Sequence, residues 1–288
     1  MKVLITGCQG QLGIELCRQL NNLNSSNKRF ELLKTDIDTL DITNSFQVHT
    51  MVTEEKPDVI INTAAYTNVD ACETDELNAF QVNAIGAQNL SAAAFQIGAK
   101  MLQVSTDYVF DGTGNSPKRE YDPINPQSVY GQSKALGEKL VLQTNPRHFI
   151  VRTAWLYGEG NNFVRTMLKL ASEKKEINVV NDQIGSPTST VDLASCIINL
   201  IKTDHYGVYH ATCEGECSWY DFASRIFAMK SINIKVNPIT TKELNRPAKR
   251  PAYSVLENFM LKLIGLNNFR QWEDALEECL EKNGDVNS

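Results

Sequence analysis

Short apolar runs alternate with segments of helical period along the first half of the chain. Runs of strand length lie at 3–5, 30–33, 58–61, 101–104 and 149–151. Between them, apolar residues recur at helical spacing after Leu12, over 75–97 and over 128–143. Within 75–97 we expect Val82, Ile85, Leu90 and Ala93 to face inward. Apolar strands that alternate with helices predict an α/β fold, a doubly wound parallel sheet covered on both faces.

The alternation loosens beyond residue 155. Helical patterns recur near 161–172, 190–202, 218–229 and 270–282, with proline-punctuated stretches between them. We predict a dinucleotide-binding domain over 1–152, to which segments of about 178–210 return. A smaller C-terminal substrate-binding lobe would then comprise 153–177 and 211–288.

Three glycines connect the first predicted strand to the first predicted helix. Gly7, Gly10 and Gly13 permit a tight turn and let the backbone approach a pyrophosphate. The free N–H groups and the dipole of the following helix favour an anion. A tight turn without a ligand is the alternative. The strand–loop–helix setting favours the Rossmann-type dinucleotide site.

Asp36 follows the second predicted strand, 23 residues beyond Gly13. A carboxylate at about this distance can bind the adenosine ribose hydroxyls. Asp38 and Asp41 add negative charge nearby, and this local field disfavours a 2′-phosphate. The alternative for Asp36 is a solvated loop acid.

Tyr130 and Lys134 form the most informative spacing in the chain. A separation of four residues places both side chains on one face of a helix. A nearby ammonium lowers the pKa of a phenol, which is about 10 in isolation, and the pair can then pass a proton to a carbonyl oxygen. Such a pair also occurs by chance in many helices. Here it follows a fourth strand ending in Thr106, whose hydroxyl would lie at the ligand-binding edge of the sheet.

Composition and charge narrow the class of protein. The 288 residues carry 28 basic and 34 acidic side chains, a formal charge of −6, which disfavours nucleic-acid binding. No apolar run approaches the length of a membrane span, so we expect no membrane contact. Seven scattered cysteines argue against a disulfide framework and favour a reducing cytoplasm. Cys213 and Cys217 lack a second pair at zinc spacing, and we predict no metal there.

These features together resemble the extended short-chain dehydrogenase/reductase superfamily. More closely, the chain is similar to the dTDP-4-dehydrorhamnose reductase family. The similarity is carried by 10–13, 62–70, 105–110, 152–158, 160–163, 181–188 and 250–254. These stretches span nearly the whole chain. The later ones are specific to the family, whereas the glycines and the Tyr–Lys pair mark only the superfamily.

The resemblance implies an enzyme that uses NADH or NADPH to reduce the 4-keto group of dTDP-4-dehydro-β-L-rhamnose, giving dTDP-L-rhamnose. Tyr130 would donate the proton, Lys134 would support it and hold the nicotinamide ribose, and Thr106 would tune it. The cofactor would be bound by Gly7, Gly10, Gln11, Leu12, Gly13, Asp36, Asp41, Ile42, Ala65, Tyr66, Thr67, Tyr130 and Lys134. The substrate would meet Val69, Thr106, Asp107, Tyr108 and Trp155. For Trp155, core packing is the alternative.

Several alternatives stay open at this point. One alternative is a nucleotide-sugar epimerase, which keeps its cofactor bound and returns the hydride. Another is a catalytically silent regulatory subunit of the same fold, against which the intact Thr106, Tyr130 and Lys134 argue. Some family members bind magnesium at a dimer interface, and their first ligand matches Glu15, but the second would fall at Val191, which cannot ligate. We therefore predict no metal, and we expect a homodimer. The basic cluster Arg246, Lys249 and Arg250 is either a diphosphate contact or a solvated face.

Overall fold

The computed structural model describes residues 1–27 and 30–282. Its strands are β1 (Lys2–Thr6), β2 (Glu31–Thr35), β3 (Val59–Asn62), β4 (Lys100–Thr106), β5 (His148–Thr153), β6 (Leu156–Tyr157), β7 (Glu176–Val180), β8 (Ile184–Gly185), β9 (Thr188–Ser189), β10 (Gly207–His210), β11 (Cys217–Ser218) and β12 (Lys235–Ile239). Its α-helices are α1 (Gln11–Asn27), α2 (Ser45–Glu55), α3 (Val69–Cys72), α4 (Glu76–Phe80), α5 (Ala87–Gln96), α6 (Val129–Thr144), α7 (Phe163–Glu173), α8 (Thr190–Leu200), α9 (Trp219–Met229), α10 (Thr241–Leu244), α11 (Phe259–Leu263) and α12 (Trp272–Lys282). A π-helical segment covers Gln81–Gly86 and a 3₁₀ turn covers Asp107–Val109.

Six parallel strands form the central sheet, in the order β10-β5-β4-β3-β1-β2. Val59–Asn62 is buried along its whole length, because helices cover both faces of the sheet. On one face α1 and α8 pack through Leu16 and Ile197. On the other, α2, α5 and α6 pack through Val48, Leu90 and Val141. The predicted doubly wound α/β fold is confirmed.

The long helix predicted over 75–97 contains a π-helical segment. A π turn takes more residues than an α turn, so it shifts which side chains face the core. The inward orientation expected of Ile85 is therefore wrong, since this side chain is 41% exposed. Leu90 and Ala93, beyond the π segment, are buried as expected. The polar Asn83 lies on the buried face of the same segment and is 2% exposed.

Several elements of the structure lie outside the helices and strands predicted from the sequence. One is α2, whose N-cap Asn44 accepts a hydrogen bond from the backbone of Gln47. Most of the others are strands of two residues, paired as β6–β9 and β8–β11. A second apolar core lies among α7, α9 and α12, around Phe222 and Leu276. The division into domain and lobe stays a prediction.

Two expectations about the whole chain concern cysteines and membranes. In the described residues, which include all seven cysteines, no disulfide is present. Over the same residues, no helix combines the length and the apolar character that a membrane crossing requires.

Candidate active site

One cleft of about 740 Å³ opens beyond the carboxyl ends of the central strands. This is where ligands bind in open parallel sheets, and the volume suits a small-molecule site. Of the predicted site residues, the cleft is lined by Gly7, Gly10, Gln11, Leu12, Asp36, Asp41, Ile42, Ala65, Tyr66, Thr67, Val69, Thr106, Asp107, Tyr108, Tyr130, Lys134 and Trp155. The folded chain thus brings residues from 7 to 155 to one place. Gly13 is the one predicted site residue that does not line it.

The glycine loop leaves no room for side chains. Gly7 has φ +68°, and a Cβ there would lie 2.7 Å from the backbone nitrogen of Ala64. A Cβ on Gly13 would lie 2.2 Å from the carbonyl oxygen of Gly7, so Gly13 serves helix–loop packing behind the cleft. Helix α1 begins at Gln11, whose Oε1 is buried without a hydrogen-bond partner in the described residues. This cradle at a helix N-terminus fits a dinucleotide pyrophosphate.

Asp36 directly follows β2 and ties two loops together. Its Oδ2 accepts a hydrogen bond of 2.9 Å from the backbone nitrogen of Gln9, and its Oδ1 accepts one from Ile37. Asp36 is therefore more than a solvated acid, because it fixes the glycine loop and also faces the cleft.

Ile42 is buried against Gly86, where a Cβ would meet its side chain at 2.7 Å. Among the described residues that line the cleft, Lys134 is the only basic one.

Tyr130 and Lys134 lie in the first two turns of α6. The N-cap Ser128 accepts a hydrogen bond from the backbone of Gly131 and so fixes the start of the helix. The ammonium of Lys134 donates to the carbonyl oxygen of Val104 at 2.7 Å. Val104 precedes Thr106 on β4 by two residues, so this bond joins the helix to the strand that carries the third predicted catalytic side chain.

Burial is the largest cause of the pKa shifts of Tyr130 and Lys134. It raises the pKa of Tyr130, against which the Thr106 hydroxyl acts by hydrogen bonding. Burial also lowers the pKa of Lys134 to about 8, and the charge of Glu138 opposes this. We expected Lys134 to lower the pKa of Tyr130, but burial raises that pKa instead. The ammonium of Lys134 is hydrogen-bonded to a carbonyl oxygen, and the phenol keeps its proton. A protonated phenol is suited to donating a proton.

Asp107 and Tyr108 enter the cleft from the 3₁₀ turn after β4. The Thr106 hydroxyl donates to Asp107 Oδ1 at 2.9 Å, while Oδ2 has no partner in the described residues. Burial raises the pKa of Asp107 to about 6. The hydroxyl of Tyr108 accepts a hydrogen bond of 3.1 Å from Arg250. Arg250 also pairs with Asp70 at 3.0 Å, so it is not on a solvated face; it does not line the cleft itself but holds Tyr108, which does.

Trp155 has a left-handed backbone, with φ +47°. For a bulky residue this conformation costs about 1–3 kcal/mol and is found mainly at functional sites. The indole lines the cleft and is only partly buried, which does not fit a residue used solely for core packing.

Two residues at the site, the polar Asn83 and the aromatic Trp219, were not predicted from the sequence. Asn83 accepts a hydrogen bond from the backbone nitrogen of Tyr66 at 2.9 Å and donates to Ser133 at 3.0 Å. It thereby connects the loop after β3 to the helix of Tyr130. Trp219 lines the cleft from α9. No local signal marks either residue, because each reaches the site through packing between distant segments.

Glu15 is engaged by neighbours on its own helix. Its carboxylate accepts two hydrogen bonds from Arg18, at 2.6 and 2.8 Å, and one from Gln19. Gln19 also donates to the carbonyl oxygen of Val191 at 2.9 Å. No cluster of three or more His, Cys, Asp or Glu suited to a metal occurs in the part of the chain that is described.

We expect activity to survive removal of divalent metal. A proton donated by the Tyr130 phenol, with hydrogen bonds to the reacting carbonyl from hydroxyls, would require no Lewis acid. The measurement is the reductase rate and the molecular mass after EDTA treatment and dialysis. Activity that is lost and then restored by magnesium would refute this expectation. Dissociation of an oligomer at constant rate would instead indicate a structural ion.

The cleft combines a glycine cradle, a Tyr–Lys pair and a Thr hydroxyl. This combination defines an NAD(P)-dependent oxidoreductase of the short-chain dehydrogenase/reductase class. The family model described as the RmlD substrate binding domain matches residues 1–284. The chain belongs to this family.

Individual relatives agree with the family assignment. The chain is 47% identical over 269 residues to the dTDP-4-dehydrorhamnose reductase of Aggregatibacter actinomycetemcomitans, covering 89% of this chain and 90% of the relative. A crystal structure of the enzyme of that name from Clostridium acetobutylicum is 51% identical, with a TM-score of 0.96 over 99% of this chain and 100% of that one. The Bacillus anthracis enzyme of that name, in complex with NADP, is 43% identical, with a TM-score of 0.94 over 98% and 99% of the two chains.

Proposed function

We propose that this protein is a dTDP-4-dehydrorhamnose reductase, which reduces the 4-keto group of dTDP-4-dehydro-β-L-rhamnose with NADH or NADPH to give dTDP-L-rhamnose. The observation that carries the proposal is that one cleft is lined both by the glycine cradle and by Thr106, Tyr130 and Lys134. Relatives that carry this enzyme name match nearly the whole chain.

The roles of the catalytic side chains follow from their contacts. The reduced nicotinamide supplies a hydride to the carbonyl carbon. Tyr130 holds a proton at its hydroxyl, which its burial retains, and delivers it to the carbonyl oxygen. The Thr106 hydroxyl, which donates its own proton to Asp107, can accept a hydrogen bond from that phenol, and Lys134 fixes the helix against β4 through Val104. The free Oδ2 of Asp107 can accept a hydrogen bond from a sugar hydroxyl.

The alternatives are separable by one assay. An epimerase returns its hydride and consumes no cofactor, and a silent subunit neither binds productively nor turns over. We expect the absorbance of reduced nicotinamide to fall stoichiometrically when dTDP-4-dehydro-β-L-rhamnose is added to the protein with NADH. Substrate turnover without net loss of NADH would favour the epimerase. No turnover with either cofactor would contradict the proposal.

We expect NADH to be used at least as well as NADPH. Asp36 faces the cleft near its glycine end, and no basic residue other than Lys134 lines the described cleft to receive a 2′-phosphate. The relative from Bacillus anthracis holds NADP, so both cofactors need to be compared. The measurement is kcat/KM for each. An advantage for NADPH of about tenfold, the value of one charge-assisted hydrogen bond, would contradict the prediction.

A matched pair of variants assigns the preference to one carboxylate. Asp36→Asn keeps an acceptor for Gln9 but removes the charge, and should shift the ratio of kcat/KM roughly tenfold toward NADPH. Asp38→Asn removes the same charge from an exposed residue that does not line the cleft, and should leave the ratio nearly unchanged. Equal shifts in both variants would indicate a general field effect.

The remaining expectations belong to the same proposal. We expect a cytoplasmic homodimer that acts on a small-molecule nucleotide sugar and binds neither nucleic acid nor membrane. The acidic charge of −6 supports the absence of nucleic-acid binding. Light scattering in solution would establish the oligomeric state.

A further inference from the structure

Two tryptophans stack at one end of the cleft. The rings of Trp155 and Trp219 lie 3.5 Å apart between centroids with an interplanar angle of 6°. Both line the cleft, yet they belong to different parts of the chain, since Trp155 follows β5 and Trp219 begins α9. The mechanism above uses no property of Trp219.

The stack lies at the reacting end of the cleft. Thr153, the last residue of β5, is the register partner of Thr106 on β4. Trp155 is two residues beyond Thr153, and Thr153 and Ala154 both line the cleft between them. The stacked rings therefore belong to the Thr106 end and not to the glycine loop.

The backbone of Trp155 requires support from its surroundings. Its φ of +47° is unfavourable for a bulky side chain and persists only when neighbouring groups hold it. Two groups do so. The indole stacks on Trp219, and its edge lies so close to Gly185 that a Cβ there would be 2.4 Å from Cε2.

Gly185 and Trp219 are themselves joined by a short ladder. Gly185 pairs with Cys217 in the β8–β11 pair, and Trp219 follows that strand directly. The helix start at Trp219 is fixed by a capping box, in which Ser218 and Asp221 each bind the other's backbone nitrogen. Behind it, Phe163 packs on the Trp219 ring with centroids 4.5 Å apart. Trp219 is thus a fixed surface against which Trp155 rests.

We propose that Trp219 is a positioning residue for the substrate, which holds the Trp155 indole in the orientation that meets the sugar end of the nucleotide sugar. This inference rests on the proposed function. It predicts that Trp219 affects substrate KM through Trp155, and that it affects neither the proton transfer nor the binding of NADH.

A spectroscopic test examines the stack directly. The chain has three tryptophans, and the third, Trp272, is buried in the second core and does not line the cleft. Stacked indoles give an exciton couplet in circular dichroism. We expect the couplet to persist in the control Trp272→Phe and to disappear in Trp219→Leu. In a Trp272→Phe background, fluorescence anisotropy decay of Trp155 should show fast local motion after Trp219→Leu and restricted motion after Trp219→Phe.

Kinetics then test the consequence for the substrate. Trp219→Leu should raise KM for the nucleotide sugar roughly tenfold, the value of an aromatic contact, with kcat changed by less than about threefold. The Kd of NADH should not change. Trp219→Phe should rescue most of the KM. An unchanged KM, or equal losses in kcat, NADH binding and thermal stability, would overturn the proposal.

The outcomes separate this inference from the proposed function. If the wild-type protein neither reduces dTDP-4-dehydro-β-L-rhamnose nor binds dTDP-L-rhamnose in a calorimetric titration, the proposed function fails. The anisotropy decay then decides alone whether Trp219 holds Trp155. If the wild-type protein is an active reductase but Trp155 stays rigid after Trp219→Leu, the inference fails and the proposed function stands.

Discussion

The substitution Tyr130→Phe is expected to lower kcat by at least about 10²–10⁴-fold, the usual contribution of a general acid. The substitution keeps the ring and its edge-to-face contact with Tyr108, whose centroid lies 5.5 Å away, and it removes only the hydroxyl. Folding and NADH binding should therefore be preserved. The measurements are the rate of NADH oxidation at saturating substrate, the Kd of NADH and the thermal melting curve.

The neighbouring tyrosine provides the matched control. Tyr108→Phe deletes the same group from the same cleft, but that hydroxyl binds Arg250. We expect it to lower kcat by no more than about tenfold, in keeping with the loss of one hydrogen bond. If folded Tyr130→Phe keeps more than about a tenth of the wild-type rate, the role of Tyr130 as proton donor is wrong.

The sequence predicts much of this cleft because its residues follow a topological rule. The carboxyl ends of parallel strands meet at one edge, so residues just beyond β1, β2, β3 and β4 converge whatever their separation along the chain. Asp36, Ala65 and Thr106 lie at such ends, and the structure places all three at the cleft. Tyr130 and Lys134 were found by a separate signal, the helical spacing of four residues.

Residues outside this rule were missed for physical reasons. Trp219 reaches the cleft through the two-residue pairing of β8 with β11, which is too short to leave a periodic pattern. Asn83 lies on the buried face of its helix, four residues from Ala79 and from Ala87, but it is polar, so a pattern of apolar residues does not mark it. The pKa of Tyr130 depends on burial, which only the folded chain defines.

A buried ion pair connects the helix that carries Lys134 to the strands that end at Thr106 and Thr153. Arg152 donates from Nε and Nη2 to the two carboxylate oxygens of Glu138, at 2.9 and 2.7 Å. Ser105, the neighbour of Thr106, donates to the same carboxylate at 2.5 Å. Glu138 lies one turn after Lys134 on α6, and its charge raises the pKa of Lys134 against the effect of burial. This pair thus joins α6 to the ends of β4 and β5.

Breaking this pair on one side should be strongly destabilising. Arg152→Met keeps the length of the side chain but leaves the Glu138 carboxylate buried without its cation. The expected loss in the free energy of unfolding is about 3–5 kcal/mol, because the desolvation cost of the remaining charge is no longer offset. Urea denaturation followed by circular dichroism measures it.

The chain contains a second Arg–Glu pair of the same bidentate geometry, in which the arginine is more exposed to solvent. Arg18 donates from Nε and Nη2 to Glu15 at 2.8 and 2.6 Å, but the Arg18 side chain is 47% exposed, against 6% for Arg152. Arg18→Met should cost less, about 1–3 kcal/mol, because Arg18 is half-exposed and the Glu15 carboxylate, although only 10% exposed, keeps its hydrogen bond from Gln19. Replacing both buried partners, Arg152→Met with Glu138→Leu, should recover part of the loss because no unpaired charge remains. Equal losses for Arg152→Met and Arg18→Met would show that burial does not set the strength of this pair.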